Sequence, residues 1–559
     1  MKQVLIDLKA RPSIRAGEDW DLTDKVCRDG GKVIDRIVSR KELTEDQGNR
    51  LKPKNCHAPR LTGLPKVHKE GVPMRGIVSM VGSPFEKVSK TLIPILRTIQ
   101  GRSGLYVKNS RELKEKIKDW RVERNEILVS YDVKNLYPSI PIDKALELVE
   151  RLLNENEDLG ETTTMSVTSI MELLKWMFDL TYCEYGGSHF VLDSGPIGLG
   201  ATGEIAIIYM EDFQLRAMET SPYPLNEWFW YVDDSETKCK EGEAQEILDH
   251  LNTIEPGVIV FTKEDQEGDV LPVLDLKQTV DRKTKKIECS VYYKKTHTNI
   301  NVKERSNHPE SMKRAIVKGF TDRARALCDE KHLAEELNNI EDVFVANGYP
   351  RETVRRFMEQ RHQQTDKKEQ EEQESRGAVT IPYLKGLSER FRRTANRHSF
   401  RVAFKPGRKI KEIKRTCQEP LGERQKCVVY KIPCTCQNSV YVGETWRLFQ
   451  TRKKEHMDKV RLTNEDLQKG NTLSAERRMG KEDGGLARHT IECQRSIDWT
   501  NAKIVATERG LRQRKVLEGI ESLRQKHRGM KVLNSFDHVE TWKSILNSFF
   551  DREGDCNSQ

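Results

Sequence analysis

The chain has 559 residues, a net charge of +9, 36% hydrophobic and 33% charged residues. This length predicts several domains rather than one small binding module, and its apolar runs argue against wholesale disorder. It contains no apolar run long enough to span a membrane and no signal-peptide pattern, so we expect a soluble intracellular protein with no membrane partner.

The first informative segment, LTGLPKVHKEGVPMRGIVSM, carries cations around a predicted β-hairpin. Lys66, Lys69 and Arg75 flank the turn and could reach over a nucleoside triphosphate. The alternative is that they are ordinary exposed strand charges. We favour Arg75 as a nucleotide-binding residue and keep Lys66 as a second candidate.

Two further segments place carboxylates at strand ends. The apolar run ILVSYDV reaches Asp132 and then breaks at Pro138 and Pro141 before a helical pattern begins. About 100 residues later, WFWYVDD puts Asp233 and Asp234 where an aromatic strand would turn. Buried carboxylates are costly unless cations bind them, and three oxygen ligands suit Mg²⁺. The pattern predicts a two-metal phosphoryl-transfer site, and the alternative is an ordinary Asp-Asp turn.

These segments resemble a known family. LPKVHK, RGIVS, SYDVKNLYPSIP, PIGLGATGEIA, WYVDD, FTKEDQEGDVLPVLDL and VYYKKTHTNIN resemble successive reverse-transcriptase motifs of Penelope-like retroelements, from about Leu61 to Pro350. The resemblance implies a right-hand fingers, palm and thumb fold that copies RNA into DNA, with Asp132, Asp233 and Asp234 as Mg²⁺ ligands. It also implies that Tyr137 closes the nucleotide pocket against a ribose 2′-hydroxyl, although a core tyrosine is the alternative.

The segment after the palm resembles the helical thumb of that family. The cations of SNHPESMKRAIVKGFTDRARALC could track the template backbone, or could be a solvent-facing surface; they are Lys313, Arg314, Lys318 and Arg325. Residues 366–375 have almost no apolar side chain and predict a domain boundary.

The next stretch, 385–415, holds twelve Lys and Arg against two Glu, so the rest of the chain sums to about −1. Its basic residues alternate with Phe391, Phe400 and Phe404, which favours nucleic-acid contact over a solvated linker. The candidate contacts are Arg392, Arg393 and Lys405.

The carboxy-terminal part has a different pattern, in which CVVYKIPCTCQNSVYVG predicts two short strands and a helix follows. It resembles the GIY-YIG endonuclease domain, although Val428 replaces the first glycine of that motif. The resemblance implies catalytic roles for Tyr430, Tyr441, Arg452, His456 and Glu518. A tyrosine with a lowered pKa or a bridging water would deprotonate the nucleophile, Arg452 would stabilise phosphorane charge, and Glu518 would hold one Mg²⁺.

A structural metal is also predicted in this domain. Cys434 and Cys436 follow the first tyrosine strand, and His489 and Cys493 are four residues apart, so the four could hold Zn²⁺. Penelope-like elements carry a Cys-Cys-His-His cluster here, but Arg495 stands at the last histidine position, so either Cys493 substitutes or the site is incomplete. The alternative is two reduced cysteines and a surface histidine.

Together the patterns predict an α+β multidomain protein: a right-hand reverse transcriptase followed by a small α/β GIY-YIG nuclease domain. The expected divisions are a residual, truncated fingers segment (1–60), fingers and palm (61–300), thumb (301–365), charged then basic linker (366–420), nuclease (421–540) and tail (541–559).

The expected activity is target-primed reverse transcription in the nucleus. Its partners would be an RNA template, a DNA target and primer, and deoxynucleoside triphosphates. Two alternatives stay open: a degenerate element protein that binds nucleic acid without polymerising, and a nuclease with a non-catalytic palm.

Overall fold

The computed structural model describes residues 1–15, 18–67, 71–225, 227–359, 377–405, 425–480, 484–508 and 510–534. The chain divides into two compact units, one of Met1–Pro53 and Ala58–Ile413, the other of Lys54–His57 and Lys414–Gln559. The predicted charged boundary at 366–375, the tail 541–559 and Lys69 lie outside the described residues. In the ranges described, no helix combines the length and apolar character needed to cross a bilayer.

The strands of the first unit form several separate sheets. They are β1 (Ala10–Pro12), β2 (Ile14–Arg15), β3 (Glu18–Asp19), β4 (Arg60–Pro65), β5 (Met74–Ser79), β6 (Glu126–Val133), β7 (Tyr182–Tyr185), β8 (Ser188–Leu192), β9 (Trp228–Tyr231), β10 (Asp234–Lys240), β11 (Phe261–Asp265), β12 (Val270–Val273), β13 (Leu276–Asp281), β14 (Lys286–Val291), β15 (Gly377–Pro382) and β16 (Phe400–Lys405).

Helices pack on these sheets. They are α1 (Lys2–Asp7), α2 (Thr23–Ser39), α3 (Glu45–Leu51), α4 (Glu86–Arg97), α5 (Ser110–Ile117), α6 (Leu136–Ser139), α7 (Ile142–Asn154), α8 (Leu159–Thr162), α9 (Val167–Asp179), α10 (Gly200–Glu219), α11 (Glu243–Ile254), α12 (Glu310–Leu327), α13 (Glu330–Ala346), α14 (Arg351–Glu359) and α15 (Leu387–Arg397).

The central sheet has the order β11-β6-β10-β9 and is antiparallel throughout. Alternate residues of β6 point to opposite faces, because side chains on a strand repeat every two residues. Val129 and Tyr131 are buried in the large core of the unit, whereas Leu128 is buried in a second core on the other face. The sheet is therefore covered on both sides, which fixes its register.

The amino-terminal residues are an integral part of this unit. β1 pairs with β8 at the edge of a second sheet, of order β1-β8-β7-β4-β5. α2 buries one face, including Val26, Ile34 and Ile37, in the large core. The glycine-rich loop packs on the same sheet: Gly198 has φ +116°, and a Cβ there would meet the Val78 carbonyl oxygen at 2.2 Å. Only glycine allows this close approach.

The structure differs from the expected linker at 366–420, because its described part is folded. β15 and β16 pair in parallel, from Gly377↔Phe400 to Pro382↔Lys405, and α15 connects them. Alternate apolar residues in both strands, such as Ile381 and Phe404, form this β-α-β unit. The expectation of a linker relied on the high density of Lys and Arg, and this charge does not prevent the segment from folding.

The second unit contains a four-stranded sheet of order β19-β17-β18-β20. Its elements are β17 (Val428–Pro433), β18 (Ser439–Thr445), β19 (Lys503–Thr507), β20 (Lys531–Val532), α16 (Phe449–Gln468), α17 (Thr472–Met479), α18 (Gly485–Cys493) and α19 (Leu511–His527). β17 and β18 form the predicted antiparallel pair, with Tyr430 opposite Gly443.

Candidate active sites and metal centre

The central sheet brings three aspartates together at one end. Asp132 on β6 is the cross-strand partner of Asp234 on β10, and Asp233 lies in the turn between β9 and β10. The Val133 N–H donates to the Asp233 carbonyl oxygen at 3.0 Å, which ties this turn to β6. Directly opposed residues on an antiparallel pair have neighbouring side chains on the same face. The structure therefore assembles residues that are about 100 positions apart in the sequence.

Burial and mutual repulsion both disfavour ionisation of the carboxylates in this cluster. Burial raises the pKa of Asp234 to about 7, with a further contribution from the charges of Asp233 and Asp132. Burial also raises the pKa of Asp233, and Asp132 adds to the effect. Crowded carboxylates of this kind favour divalent cations, and oxygen ligands suit Mg²⁺. The donor set thus fits the predicted ion.

Three cations oppose this build-up of negative charge. Arg75 and Lys66 lower the pKa of Asp233, and Lys294 lowers that of Asp234. Arg75 and Lys66 come from the hairpin of β4 and β5, in which Leu64 pairs with Arg75 and the Lys66 N–H donates to the Pro73 carbonyl at 2.8 Å. Lys294 was not among the predicted site residues, although it follows a strand within the family-like segment VYYKK.

Tyr137 lies close to the same cluster. It is half-buried on the short helix α6, which follows Asn135 in the left-handed region at φ 51°. Burial raises the pKa of its phenol, Asp233 raises it further, and Arg75 opposes the shift. The side chain thus lies within electrostatic reach of both an aspartate and the hairpin arginine.

The thumb cations expected to track a template are not equally accessible. Lys313 is 7% exposed, and its ammonium donates to the Glu304 carbonyl. Lys313 shares the buried face of α12 with Val317 and Thr321, because residues four apart lie on the same side of a helix. Lys313 is thus engaged by the Glu304 carbonyl, and the template contact expected of it stays a prediction. Arg314 is exposed, and Lys318 lies 4.0 Å from Asp322.

The basic residues of the β-α-β unit are exposed to different degrees. The Arg392 guanidinium lies 4.3 Å from the centre of the Phe404 ring, so this arginine and this ring already pack against each other. Arg393 and Lys405 are exposed. Phe391 is also exposed, which keeps it accessible to a base.

The second unit assembles a separate cluster around Tyr430. Its phenol is 2.8 Å from His456 Nε2, and both side chains are at most 1% exposed. Gly443 faces this phenol, since a Cβ there would come within 2.7 Å of the Tyr430 oxygen. The Tyr441 ring packs edge-on against His456 at 5.0 Å. The two tyrosines and the histidine thus form one packed group.

Arg452 and Glu518 adjoin the group. Burial raises the pKa of Tyr430, the Arg452 guanidinium lowers it, and the Glu518 carboxylate raises it. The suggested tyrosine with a lowered pKa is therefore wrong, because complete burial disfavours phenolate more than Arg452 stabilises it. The bridging-water alternative stays open. Arg452 also donates to Glu455 at 2.9 Å.

A second carboxylate, Glu444, was not predicted from the sequence. It also raises the pKa of Tyr430, and it accepts a 2.7 Å hydrogen bond from the fully buried Arg514. Its position directly after the YVG strand motif was the available signal.

Three thiols and one imidazole meet elsewhere in this unit. One ligand atom from each of Cys434, Cys436, His489 and Cys493 lies within 4.8 Å of all the others. His489 Nε2 is 3.6 Å from Cys436 Sγ, and its buried Nδ1 has no hydrogen-bond partner among the described residues. This group can bind a metal ion, and three cysteines with one histidine form a donor set that suits Zn²⁺.

The thiols of this cluster differ in acidity. Burial opposes ionisation of Cys436, but hydrogen bonds from the Asn438 backbone and from His489 lower its pKa to about 6. Burial raises the pKa of Cys434 to about 11.

Comparisons with known proteins find limited similarity. Residues 302–359 match the model of the animal helix-turn-helix domain. No curated protein matches the chain significantly.

Among solved structures, a Candida albicans telomerase in complex with a TWJ fragment of telomeric RNA aligns with 58% of this chain and 59% of its own, at 10% identity and a TM-score of 0.39. An apo telomerase from Candida tropicalis aligns over 54% and 58%, at 11% identity and a TM-score of 0.36. The Sicinivirus 3Dpol RNA-dependent RNA polymerase aligns over 64% and 88%, at 10% identity and a TM-score of 0.36. The chain thus spans less than two thirds of these telomerases, and scores at this level assign neither fold nor activity.

Proposed function

We propose that the first unit is an RNA-directed DNA polymerase of a Penelope-like retroelement. The observation that carries this proposal is the convergence of Asp132, Asp233 and Asp234 beside the cations of the β4–β5 hairpin. A half-buried group of three neighbouring carboxylates is costly to keep ionised, and phosphoryl transfer is a chemistry that uses such a group.

The residues of the first unit would have the following roles. The three aspartates would hold Mg²⁺, which when bound neutralises charge on the attacking and leaving oxygens of an in-line displacement. Arg75 and Lys66 bind the triphosphate and orient it toward the primer. Tyr137 packs against the sugar and restricts the space available to a 2′-hydroxyl.

We further propose that the second unit is a GIY-YIG nicking endonuclease. The observation that favours it is the contact of Tyr430 with His456 next to Arg452 and Glu518. With the Tyr430 phenol kept neutral by burial, a water bridged to it and His456 would accept the proton from the nucleophile as it passes one of its own protons to His456. Arg452 stabilises charge on the phosphate, and Glu518 would hold one Mg²⁺.

The two activities would operate in sequence in the nucleus. The nuclease nicks a DNA target, and the released 3′-hydroxyl primes synthesis on the RNA template. Arg314, Lys318, Arg392, Arg393 and Lys405 would contact phosphates, and the Cys434 cluster would hold a structural Zn²⁺.

Extension assays with four substrate combinations test the polymerase proposal. A primed RNA and a primed DNA template are each offered deoxynucleotides or ribonucleotides with Mg²⁺. We expect the purified chain to add deoxynucleotides to the primer on RNA. Efficient addition of ribonucleotides only would indicate an RNA polymerase, and no addition under any combination would contradict polymerisation.

A further inference from the structure

A groove of about 740 Å³ lies between helices α12 and α14 and the β-α-β unit. Its floor is aromatic, because Tyr349, Phe357 and Tyr383 line it and are 3%, 3% and 5% exposed. The Asn307 side chain donates to the Tyr383 carbonyl oxygen at 3.4 Å, and this hydrogen bond connects the two sides of the groove. The volume falls in the range of pockets that bind small ligands.

The rim of the groove carries unneutralised positive charge. Among the described residues, four cations on this rim form no ion pair: Arg356, Lys385, Arg390 and Arg393. Arg390 and Arg393 are one turn apart on α15 and therefore project to the same side.

The three carboxylates of the groove offset this charge only in part. Glu389 accepts from the Tyr383 hydroxyl at 2.5 Å and from the Gly386 N–H at 2.7 Å, so it is engaged within the β-α-β unit. Glu304 lies 3.9 Å from the Lys313 ammonium. Glu310 also lines the groove and forms no ion pair with another described residue.

We propose that this groove binds single-stranded nucleic acid through its phosphates. Guanidinium groups match the geometry of phosphate oxygens, and a row of cations above an apolar floor is the pattern that follows a flexible strand. The narrow volume admits a short stretch of strand and excludes a double helix. The inference rests on the proposed function, since an enzyme that copies a template must hold unpaired strand.

Fluorescence anisotropy with the full chain and a labelled RNA hexanucleotide, without nucleotides or Mg²⁺, tests the proposal. The double variant Arg390→Gln with Arg393→Gln should weaken binding about tenfold and reduce the salt slope of log K by about 0.7 for each phosphate that is no longer neutralised. Arg401→Gln is the matched control, because Arg401 is exposed on β16 and does not line the groove. Its affinity should stay within about twofold of the wild type.

A second measurement locates the strand in the unmodified chain. A hexanucleotide that carries 4-thiouridine should form photo-adducts at groove residues such as His308 or Tyr383. Adducts confined to the palm would overturn the proposal, as would equal weakening in the control variant. A DNA duplex or a glutamate-rich peptide that binds as tightly, with the same dependence on the two arginines, would also overturn it.

Primer extension on a pre-annealed template separates this inference from the proposed function. We expect the double variant to need a higher template concentration than the wild type for half-maximal extension, because Arg390 and Arg393 would hold the strand. If the wild-type chain binds the hexanucleotide in the groove but never extends a primer, the polymerase proposal is contradicted and the groove proposal stands.

Discussion

Val232, in the turn that carries the aspartates, has a φ of 52°. A β-branched residue in the left-handed region costs about 1–3 kcal/mol and persists only where the surrounding structure imposes it. Here the imposing contacts are the β6–β10 register and the hydrogen bond from Val133. The same turn brings the carboxylates of Asp233 and Asp234 together. The backbone conformation of Val232 and the repulsion between these carboxylates are therefore both unfavourable. A bound divalent cation would offset the second cost.

Glu236 lies two residues beyond Asp234 and is only 1% exposed. Neither carboxylate oxygen has a hydrogen-bond partner among the described residues. Burial raises the pKa of Glu236 to about 8, although the nearby Gln278 opposes the shift. An unfolded glutamate titrates near about 4.3, so the folded chain holds this proton more tightly. The resulting stability is complete below about pH 4.3 and is lost as the pH rises through about 8.

We therefore expect the free energy of unfolding to depend less on pH in Glu236→Gln than in the wild type. Between about pH 4.3 and 8, the wild-type free energy of unfolding should fall more steeply than that of the variant, by up to about 1.4 kcal/mol per pH unit. Urea titrations at several pH values in a chelator, followed by tryptophan fluorescence, measure this difference. Parallel pH profiles for the two proteins would show that Glu236 ionises normally.

Tyr137 offers a test of sugar selection. Removal of the ring in Tyr137→Ala should increase the ratio of ribonucleotide to deoxyribonucleotide addition by at least about tenfold, because the space for a 2′-hydroxyl opens. Tyr137→Phe retains the ring and should keep the wild-type ratio. Single-nucleotide addition kinetics with each substrate give the two ratios. An unchanged ratio in the alanine variant would make Tyr137 a packing residue.

At the scale of elements, local pattern predicted much of the central sheet and of the neighbouring hairpin. The strand β6, the β9–β10 turn and the β4–β5 hairpin all lie where the sequence places them. The exact pairing of Asp132 with Asp234 did not follow from either segment, because register depends on contacts between distant parts of the chain.

Other elements were missed for identifiable reasons. The β-α-β unit has a high charge density, and its strands are short and largely exposed, so the alternation of their apolar residues gives a weak signal.

In the second unit, the pKa of Tyr430 depends on its complete burial. Burial of one tyrosine among several cannot be read from spacing. The burial of Lys313 is a similar case, since its helical face was ambiguous from sequence.

The Cys434 cluster predicts a bound metal in the purified chain. We expect about one Zn²⁺ per chain by elemental analysis, and loss of this zinc in Cys436→Ser, because the remaining donors no longer complete a tetrahedral site. The same variant should lower the melting temperature of the second unit. Cys427→Ser is the control, since Cys427 is buried in this unit but lies outside the cluster. Full zinc content in Cys436→Ser would contradict the assignment.

On the scale of the whole molecule, two chemically distinct clusters lie in separate compact units. The aspartate cluster belongs to the first unit and the Tyr430 cluster to the second. In the part of the chain that the structure describes, each cluster takes its carboxylates, tyrosines and cations from its own unit. Each activity should therefore be removable without loss of the other.

Paired variants test this separation. Glu518→Ala should abolish nicking of supercoiled DNA but leave extension of a pre-annealed primer unchanged. Asp234→Asn should do the reverse, and each loss should reach at least about 100-fold. Loss of both activities in either variant would show that the two sites depend on each other. Nicking alone in the wild-type chain would favour a nuclease with a non-catalytic palm.

The most direct test of the central claim is addition of one deoxynucleotide to a DNA primer annealed to RNA. We expect addition by the wild-type chain that requires Mg²⁺, a reduction of at least about 100-fold in Asp233→Asn, and a normal rate in Asp249→Asn, which changes an exposed aspartate on α11. A wild-type rate in Asp233→Asn would contradict the assignment of the aspartate cluster as the polymerase site.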